Sequence, residues 1–330
     1  MRSDDHFNFL RSACVIAILA GFVSVPTGQA QETIRDQSQG GGSQQEPSIF
    51  DVEAEAGSPA FDTPAAAIDA FKSALAGDDF SGLAKLLGLD GTKLAKDTNA
   101  KDTFEQMREA AAQQLAVQEM DDRQLLQLGQ KLWPMPFPLV KGEDGKWAFD
   151  TEAGLEEIIN RRVGENELEA IATLRAYVDA QREYASEDHD GDGVLEYAQK
   201  LISSEGATDG LYWPPEQGDG ESPAGAFADR AEMQDARQDE GYFGYRFRIL
   251  NGQGDRIAGG AYDYVINDNM IAGFGLLAWP VKYGETGVKT FAVNQQGIVY
   301  EIDLGESTDA IVGYIDRFNP DDSWEVVPAD

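Results

Sequence analysis

Asp188, Asp190 and Asp192 stand at alternate positions in the run Tyr184-Ala-Ser-Glu-Asp-His-Asp-Gly-Asp-Gly-Val-Leu-Glu-Tyr-Ala-Gln199. Alternate carboxylates collect on one side of a loop, where they repel one another unless a cation sits between them, and Gly193 permits the sharp turn such a loop needs. The chemistry this spacing predicts is calcium binding. Asp188, Asp190 and Asp192 would ligate through carboxylates, Val194 through its carbonyl, Glu196 directly or through water, and Gln199 at the twelfth position. Gln199 stands where a bidentate Glu is usual, and one neutral oxygen in place of two charged ones predicts a weak site, on the order of 10⁻⁴ M. Leu195 is the apolar position expected to pack against flanking helices. The competing reading is a solvated acidic turn, because Asp-Gly pairs are ordinary turn chemistry.

Other chemistries find less material. The chain has two histidines, and the only one outside the N-terminal segment, His189, lies inside the aspartate loop, where a calcium loop would turn it to solvent. A Ser–His–Asp triad would have to use it. Zinc sites need several Cys or His ligands, and no glycine-rich turn with a following Lys and Ser/Thr offers a phosphate cradle. Gly259-Gly260 reads as a tight turn before a strand. Carboxylate-only hydrolysis needs just two acids at a set separation, which a chain this acidic neither excludes nor locates. Tyr212, Trp213, Tyr262, Tyr264, Trp279 and Tyr283 read either as core and sheet packing or as a groove for a glycan or peptide.

The loop needs helices on both sides. Asn166 and Glu169 suggest a reciprocal cap for a helix with a stripe of Leu168, Ile171, Leu174 and Val178 that runs into it; Val194–Ser203 is the expected exit helix. Upstream, a helix over about Glu152–Val163 is predicted. Asp62-Thr63-Pro64 opens a helix carrying Ile68, Phe71 and Leu75 and stopped by Gly77. A second carries Leu83, Leu86 and Leu87 and ends at Gly88, and a third carries Phe104, Met107, Ala111 and Leu115. Trp133-Pro-Met-Pro-Phe-Pro138 cannot be regular structure. Leu139-Val140 and Trp147–Phe149 flank Gly142-Glu-Asp-Gly145 as a hairpin.

From Gly241 the apolar period changes to two. Phe243, Tyr245, Phe247 and Ile249 make a half-buried strand, and Asn251-Gly252 signals a hairpin. Further strands are expected over Tyr262–Ile266, Ile271–Trp279, Val288–Asn294 and Ile298–Asp303, with turns at Asn267-Asp-Asn269, Gly284–Gly287 and Gln295-Gln-Gly297. Ser307 would cap a helix with Ile311, Tyr314, Ile315 and Phe318 on one face. The fold class is therefore α+β: a helical N-terminal part with a small hairpin, then an antiparallel sheet with a covering C-terminal helix. The expected organisation is a signal peptide (1–30), a disordered linker (31–60), a mainly helical domain (61–203) holding the loop at 188–199, a connecting loop (204–240) and a sheet domain (241–330).

Ala13–Val25 is an apolar run preceded by Arg11 and followed by Gly28-Gln29-Ala30, a small-x-small cleavage pattern; it is too short to span a bilayer and suits a secretory signal. Cys14, the only cysteine, lies inside this run and would leave with it, so the mature chain would have neither disulfides nor a thiol nucleophile. A net charge of −33 over 330 residues repels phosphate backbones and anionic lipid and favours divalent cations. The expectation is a periplasmic or secreted protein with no membrane anchor after cleavage and no nucleic-acid partner.

Trp133-Pro-Met-Pro-Phe-Pro-Leu-Val, Ala176-Tyr-Val-Asp-Ala-Gln-Arg-Glu-Tyr-Ala, Asp190-Gly-Asp-Gly-Val-Leu-Glu-Tyr-Ala-Gln, Asp209-Gly-Leu-Tyr-Trp-Pro and Gly259-Gly-Ala-Tyr-Asp-Tyr-Val resemble a bacterial family catalogued as domain of unknown function 2950. The resemblance runs from about Phe61 to Val327 and implies an exported bacterial protein, with no activity or catalytic residue attached. Gly244-Tyr-Arg-Phe, Ala278-Trp-Pro-Val-Lys-Tyr-Gly-Glu-Thr-Gly and Thr290-Phe-Ala-Val-Asn-Gln-Gln-Gly-Ile-Val-Tyr are more weakly similar to the globular sheets of pilin-like and pseudopilin proteins. At most a sheet shape is implied, because the long apolar assembly helix of those proteins has no counterpart here. Two functions follow as expectations. One is a calcium-stabilised, non-enzymatic envelope binding or assembly module, its partner an envelope protein or glycan. The other is a carboxylate-based envelope hydrolase acting on a glycan.

Overall fold

The computed structural model describes residues 52–96, 98–217, 220–225 and 241–328. The expected signal peptide and most of the expected linker lie outside them. The chain divides into two compact units, one up to Arg161 and one from Arg162. That division falls inside a helix instead of the expected 204–240 connection.

The first unit is α+β. Helix α1 (Pro64–Ala76) starts as its residues dictate: Thr63 accepts from Ala66 N, Pro64 takes the first helical position, and Ile68, Phe71 and Leu75 are buried. Helices α2 (Phe80–Leu86), α3 (Gly91–Leu94) and α4 (Thr98–Gln113) follow. Leu115 is not on α4, as its spacing suggested, but opens strand β1 (Leu115–Glu119), which pairs antiparallel with β2 (Arg123–Leu128). β2 also pairs with the two-residue β3 (Trp133–Pro134), so the proline-rich run does contribute an edge pairing. The hairpin of β4 (Leu139–Lys141) and β5 (Trp147–Phe149) forms where expected, with Gly145 left-handed at φ 81°. The fold begins before Phe61: Glu53 bridges Leu89, and Ser58 Oγ donates to Leu86 O. The core joins Phe71 to Phe149, rings 5.9 Å apart, and Phe80 to Phe104, 5.6 Å apart and edge-on. Gly154 is obligatory there, because a Cβ would lie 2.0 Å from the Phe137 ring.

Helix α5 (Thr151–Tyr184) is continuous over 34 residues, so the expected break and new cap near Asn166 do not occur. Asn166 and Glu167 bond outward instead. Asn166 Nδ2 donates to Thr286 O at 2.8 Å, and Glu167 Oε1 accepts from Val288 N and Lys289 N. Leu168, expected in the buried stripe, is 62% exposed; beyond Asn166 the buried residues of the helix are Ala170, Leu174, Tyr177, Val178, Ala180, Gln181 and Tyr184.

In the second unit, β6 (Tyr245–Leu250), β11 (Gly275–Pro280), β12 (Lys289–Asn294), β13 (Tyr300–Asp303) and β14 (Glu325–Val326) form one antiparallel sheet in the order β14-β13-β12-β11-β6. Alternation sends Leu276, Ala278, Phe291 and Val293 to the face packed with helix α5, and Leu277 and Ala292 to a smaller cluster with Leu250, Val312 and Phe318. Asn251-Gly252 is not a tight hairpin. β6 pairs with β11, whereas β7 (Gly252–Gln253) pairs with β8 (Tyr262–Asp263). β9 (Val265–Ile266) and β10 (Asn269–Met270) form a separate hairpin whose two turn residues, Asn267 and Asp268, are both left-handed, as a type I′ turn requires. The C-terminal helix α6 is only Thr308–Val312. Ser307 makes no side-chain cap, and Ile311 and Tyr314 face solvent instead of sharing the buried side with Val312.

Candidate metal centre

Helix α5 delivers the chain to the aspartate loop, and a buried glutamine takes it away again. Gln181 Oε1 accepts from Ala198 N at 2.8 Å, and its Nε2 donates to Ala198 O at 2.8 Å and to Tyr177 OH at 2.9 Å. One side chain thus bonds both backbone groups of Ala198, as a neighbouring strand would. Tyr197 N donates to Met270 O, adding a second tie to the β9–β10 hairpin. These bonds draw residues 194–203 out as irregular chain, so the expected exit helix does not form. Leu195, expected to pack inward, is 56% exposed.

Between the two anchors, oxygens of Asp188, Asp190 and Asp192 lie within 4.8 Å of one another, and all three residues are exposed. The loop's own backbone holds them. Gly191 N and Gly193 N donate to the two Asp188 oxygens at 2.7 and 2.9 Å, Asp192 N to Asp190 Oδ1, and Val194 N to Asp192 Oδ1. The N–H groups of Gly191 and Gly193 hold the Asp188 carboxyl below its ordinary range despite some desolvation, so it stays a carboxylate at neutral pH. Gly191 and Gly193 are left-handed, at φ 78° and 87°, where a side chain would strain the backbone. Among the described residues none of the three aspartates is ion-paired.

The remaining predicted ligands are engaged elsewhere. Glu196 Oε2 accepts from Met270 N at 2.9 Å, and Gln199 Nε2 donates to Asp268 O and to Glu196. Val194 stays at the loop's end, where its N–H bonds Asp192. A contact that the local sequence gives no sign of is Asn269, whose Nδ2 donates to Asp192 Oδ2 at 2.8 Å from 77 residues away. His189 does not turn to solvent. Its ring stacks on Tyr184 at 4.0 Å and lies 5.9 Å from Trp213, and its Nε2 is 3.1 Å from Tyr184 O. The loop is therefore seated on aromatic rings at one end and on a hairpin at the other.

The donor set is oxygen throughout, which suits a hard cation. Each Asp188 oxygen accepts one N–H and keeps a lone pair for a metal. Three carboxylates and a carbonyl fall short of the 6–8 oxygens calcium takes, so water would complete the shell.

The aromatic residues proposed for a groove are not gathered into one. Tyr212, Trp213 and Tyr264 are buried with the α5 face of the sheet, and Tyr262 packs against the same cluster. Trp279 lies on the opposite face, under the Arg248 guanidinium at 5.4 Å. The Tyr283 hydroxyl donates to Asp303 at 3.0 Å. In the first unit a pocket of about 80 Å³, lined by Leu83, Leu94, Phe104, Met107, Trp133 and Phe137 among others, carries no titratable side chain.

Among the described residues no helix is long and apolar enough to cross a membrane. No curated protein and no solved structure matches the chain. The profile of one family does match, described as "Protein of unknown function (DUF2950)", over residues 58–327. That span takes in both units, the aspartate loop and the whole five-stranded sheet, and the chain belongs to this family.

Proposed function

We propose that this protein is exported to the periplasm or beyond and works there as a calcium-stabilised, non-enzymatic binding or assembly module. Export is supported by the apolar run Ala13–Val25 and the cleavage pattern ending at Ala30. The calcium reading is carried by one observation, the convergence within 4.8 Å of three exposed carboxylates that have no ion-pair partner among the described residues. Their mutual repulsion is a standing cost that a divalent cation removes. Asp188, Asp190 and Asp192 would hold the ion with the Val194 carbonyl and water. Glu196 and Gln199 would brace the loop against the β9–β10 hairpin from outside the first shell.

Protein isolated from the native envelope fraction, where export must place it, should melt at a higher temperature in calcium than in chelator. At a hundredfold excess over a Kd near 10⁻⁴ M the gain is about 2.7 kcal/mol, or several degrees at roughly 2–4 °C per kcal/mol. Asp192→Ala should abolish the difference. Equal melting temperatures in both buffers, with no calorimetric binding signal, would overturn the calcium reading.

A further inference from the structure

On the sheet face away from α5, the chain from Tyr314 to Trp324 encloses a pocket of about 260 Å³. For scale, an apolar cavity near 150 Å³ takes up benzene, so this one has room for a larger ring. Its floor is Phe318, buried against Tyr300 with ring centroids 5.8 Å apart. Its aromatic walls are Trp324, half-buried, and Tyr314, which is 88% exposed.

The polar groups in the wall differ in availability. Arg317 is engaged away from the pocket ligand, its Nη1 donating to Gln253 O and Tyr262 O and its Nη2 to Asp263. Asn319, also in the pocket wall, accepts from Arg256 N through Oδ1, and its Nδ2 donor makes no hydrogen bond among the described residues. The exposed Asp316 carboxylate makes no hydrogen bond or ion pair among the described residues. An aromatic wall with one open donor and one open carboxylate acceptor suits a ligand with an apolar C–H face and hydroxyls at its edge.

The frame is rigid before any ligand arrives. Arg248 Nη2 donates to the carbonyls of Val312 and Ile315, fixing the end of α6. Phe318 exchanges backbone bonds with Gly252 and Gly254. A backbone frame tied down in this way spares part of the ordering cost of binding. With a net charge of −33 and an acid in the pocket, an anionic ligand is disfavoured.

We infer that this pocket binds the pyranose ring of an uncharged glycan, stacked on Tyr314 and Trp324, with its hydroxyls donating to Asp316 and accepting from Asn319. The inference gives the binding module its ligand class and rests on that reading, but not on the aspartate loop.

The test is calorimetric titration of the full mature protein with tri-N-acetylglucosamine, cellotriose and maltotriose. At least one should bind. Tyr314→Ala and Asp316→Ala should each weaken it about tenfold, the scale of one aromatic contact or one charged hydrogen bond. Tyr314→Phe should bind nearly as the parent, and Asp322→Ala, outside the pocket, should match it. Because both positions are exposed, unchanged melting temperatures would certify the variants as folded. No heat from any of the three sugars at millimolar concentration would overturn the proposal. So would undiminished binding by Tyr314→Ala and Asp316→Ala. Loss of the calcium effect alone would sink the loop reading and leave these titrations as they are.

Discussion

One face of the five-stranded sheet is closed by a long helix, and the other is covered by five residues of helix and a stretch of irregular chain. Behind α5 the cluster includes Leu174, Tyr177, Tyr184, Tyr245, Phe291 and Trp213, nearly all fully buried. On the other face the buried cluster is Leu250, Leu277, Ala292, Val312 and Phe318, and partly buried aromatics complete the cover. The closed face carries buried polar groups whose bonds determine where chain segments go. The open face leaves the Asp316 carboxylate without a partner among the described residues. Within one sheet, then, one side is committed to stability, and the other keeps surface on which a ligand can rest.

The sharpest way to break this comparison is to remove one large side chain from each face. Phe291→Ala, on the closed face, should cost about 3–5 kcal/mol, through lost transfer energy and a cavity the α5 packing cannot collapse. Trp279→Ala, on the open face, should cost about 2 kcal/mol, since its ring is only partly buried and loses the Arg248 contact and the Nε1 bond to Asp309. Urea unfolding measures both. Equal losses would mean that the two faces are equally packed.

A comparable effect is expected from Gln181→Leu. It leaves the N–H and C=O of Ala198 unpaired at a residue that is 1% exposed, at about 1–3 kcal/mol for each unsatisfied group before relaxation. Amide exchange at Ala198 should accelerate together with the loss of stability. If exchange there is unchanged, something other than Gln181 holds the segment.

The smallest effect concerns alkaline pH. Burial pushes the phenols of Tyr177 and Tyr245 well up, and Tyr184 up to about 12, with Glu196 and Asp209 contributing at Tyr184. A raised folded-state value means the native state keeps the proton that the unfolded chain gives up near pH 10. Stability is therefore fully present below about pH 10 and falls as pH rises from there towards 12. Tyr184→Phe should flatten part of that fall. An unaltered pH profile would show that Tyr184 does not contribute to it.

Local signals in the sequence reached as far as local chemistry decides structure. Thr63-Pro64 placed α1, Gly142–Gly145 the β4–β5 turn, and alternation most of β12 and β13, because each depends on neighbours a few residues away. The failures have long-range causes. Helix α5 runs through Asn166 because Asn166 and Glu167 spend their side chains on residues 286–289, not on a cap. The stretch 194–203 has helical spacing, yet Gln181 and Met270 hold it extended. Leu115-Ala-Val-Gln-Glu lacks strict alternation and becomes a strand only through its pairing with β2. At the candidate site the three aspartates were legible from spacing alone. The contribution of Asn269, and the diversion of Glu196 and Gln199 to the hairpin, were not, since a distant turn supplies the partners.

Asp188 has one more consequence, in the chemical ageing of the loop. Asp190-Gly191 and Asp192-Gly193 are peptide bonds of the kind most prone to cyclise to succinimide and reopen as isoaspartate. That reaction requires the glycine nitrogen to turn onto the carboxyl of the residue before it. Both nitrogens are instead directed at Asp188, one on each oxygen. Folding thus shields two of the most labile bonds in the chain, and the residue that does so is itself one of the three acids whose spacing first marked the loop.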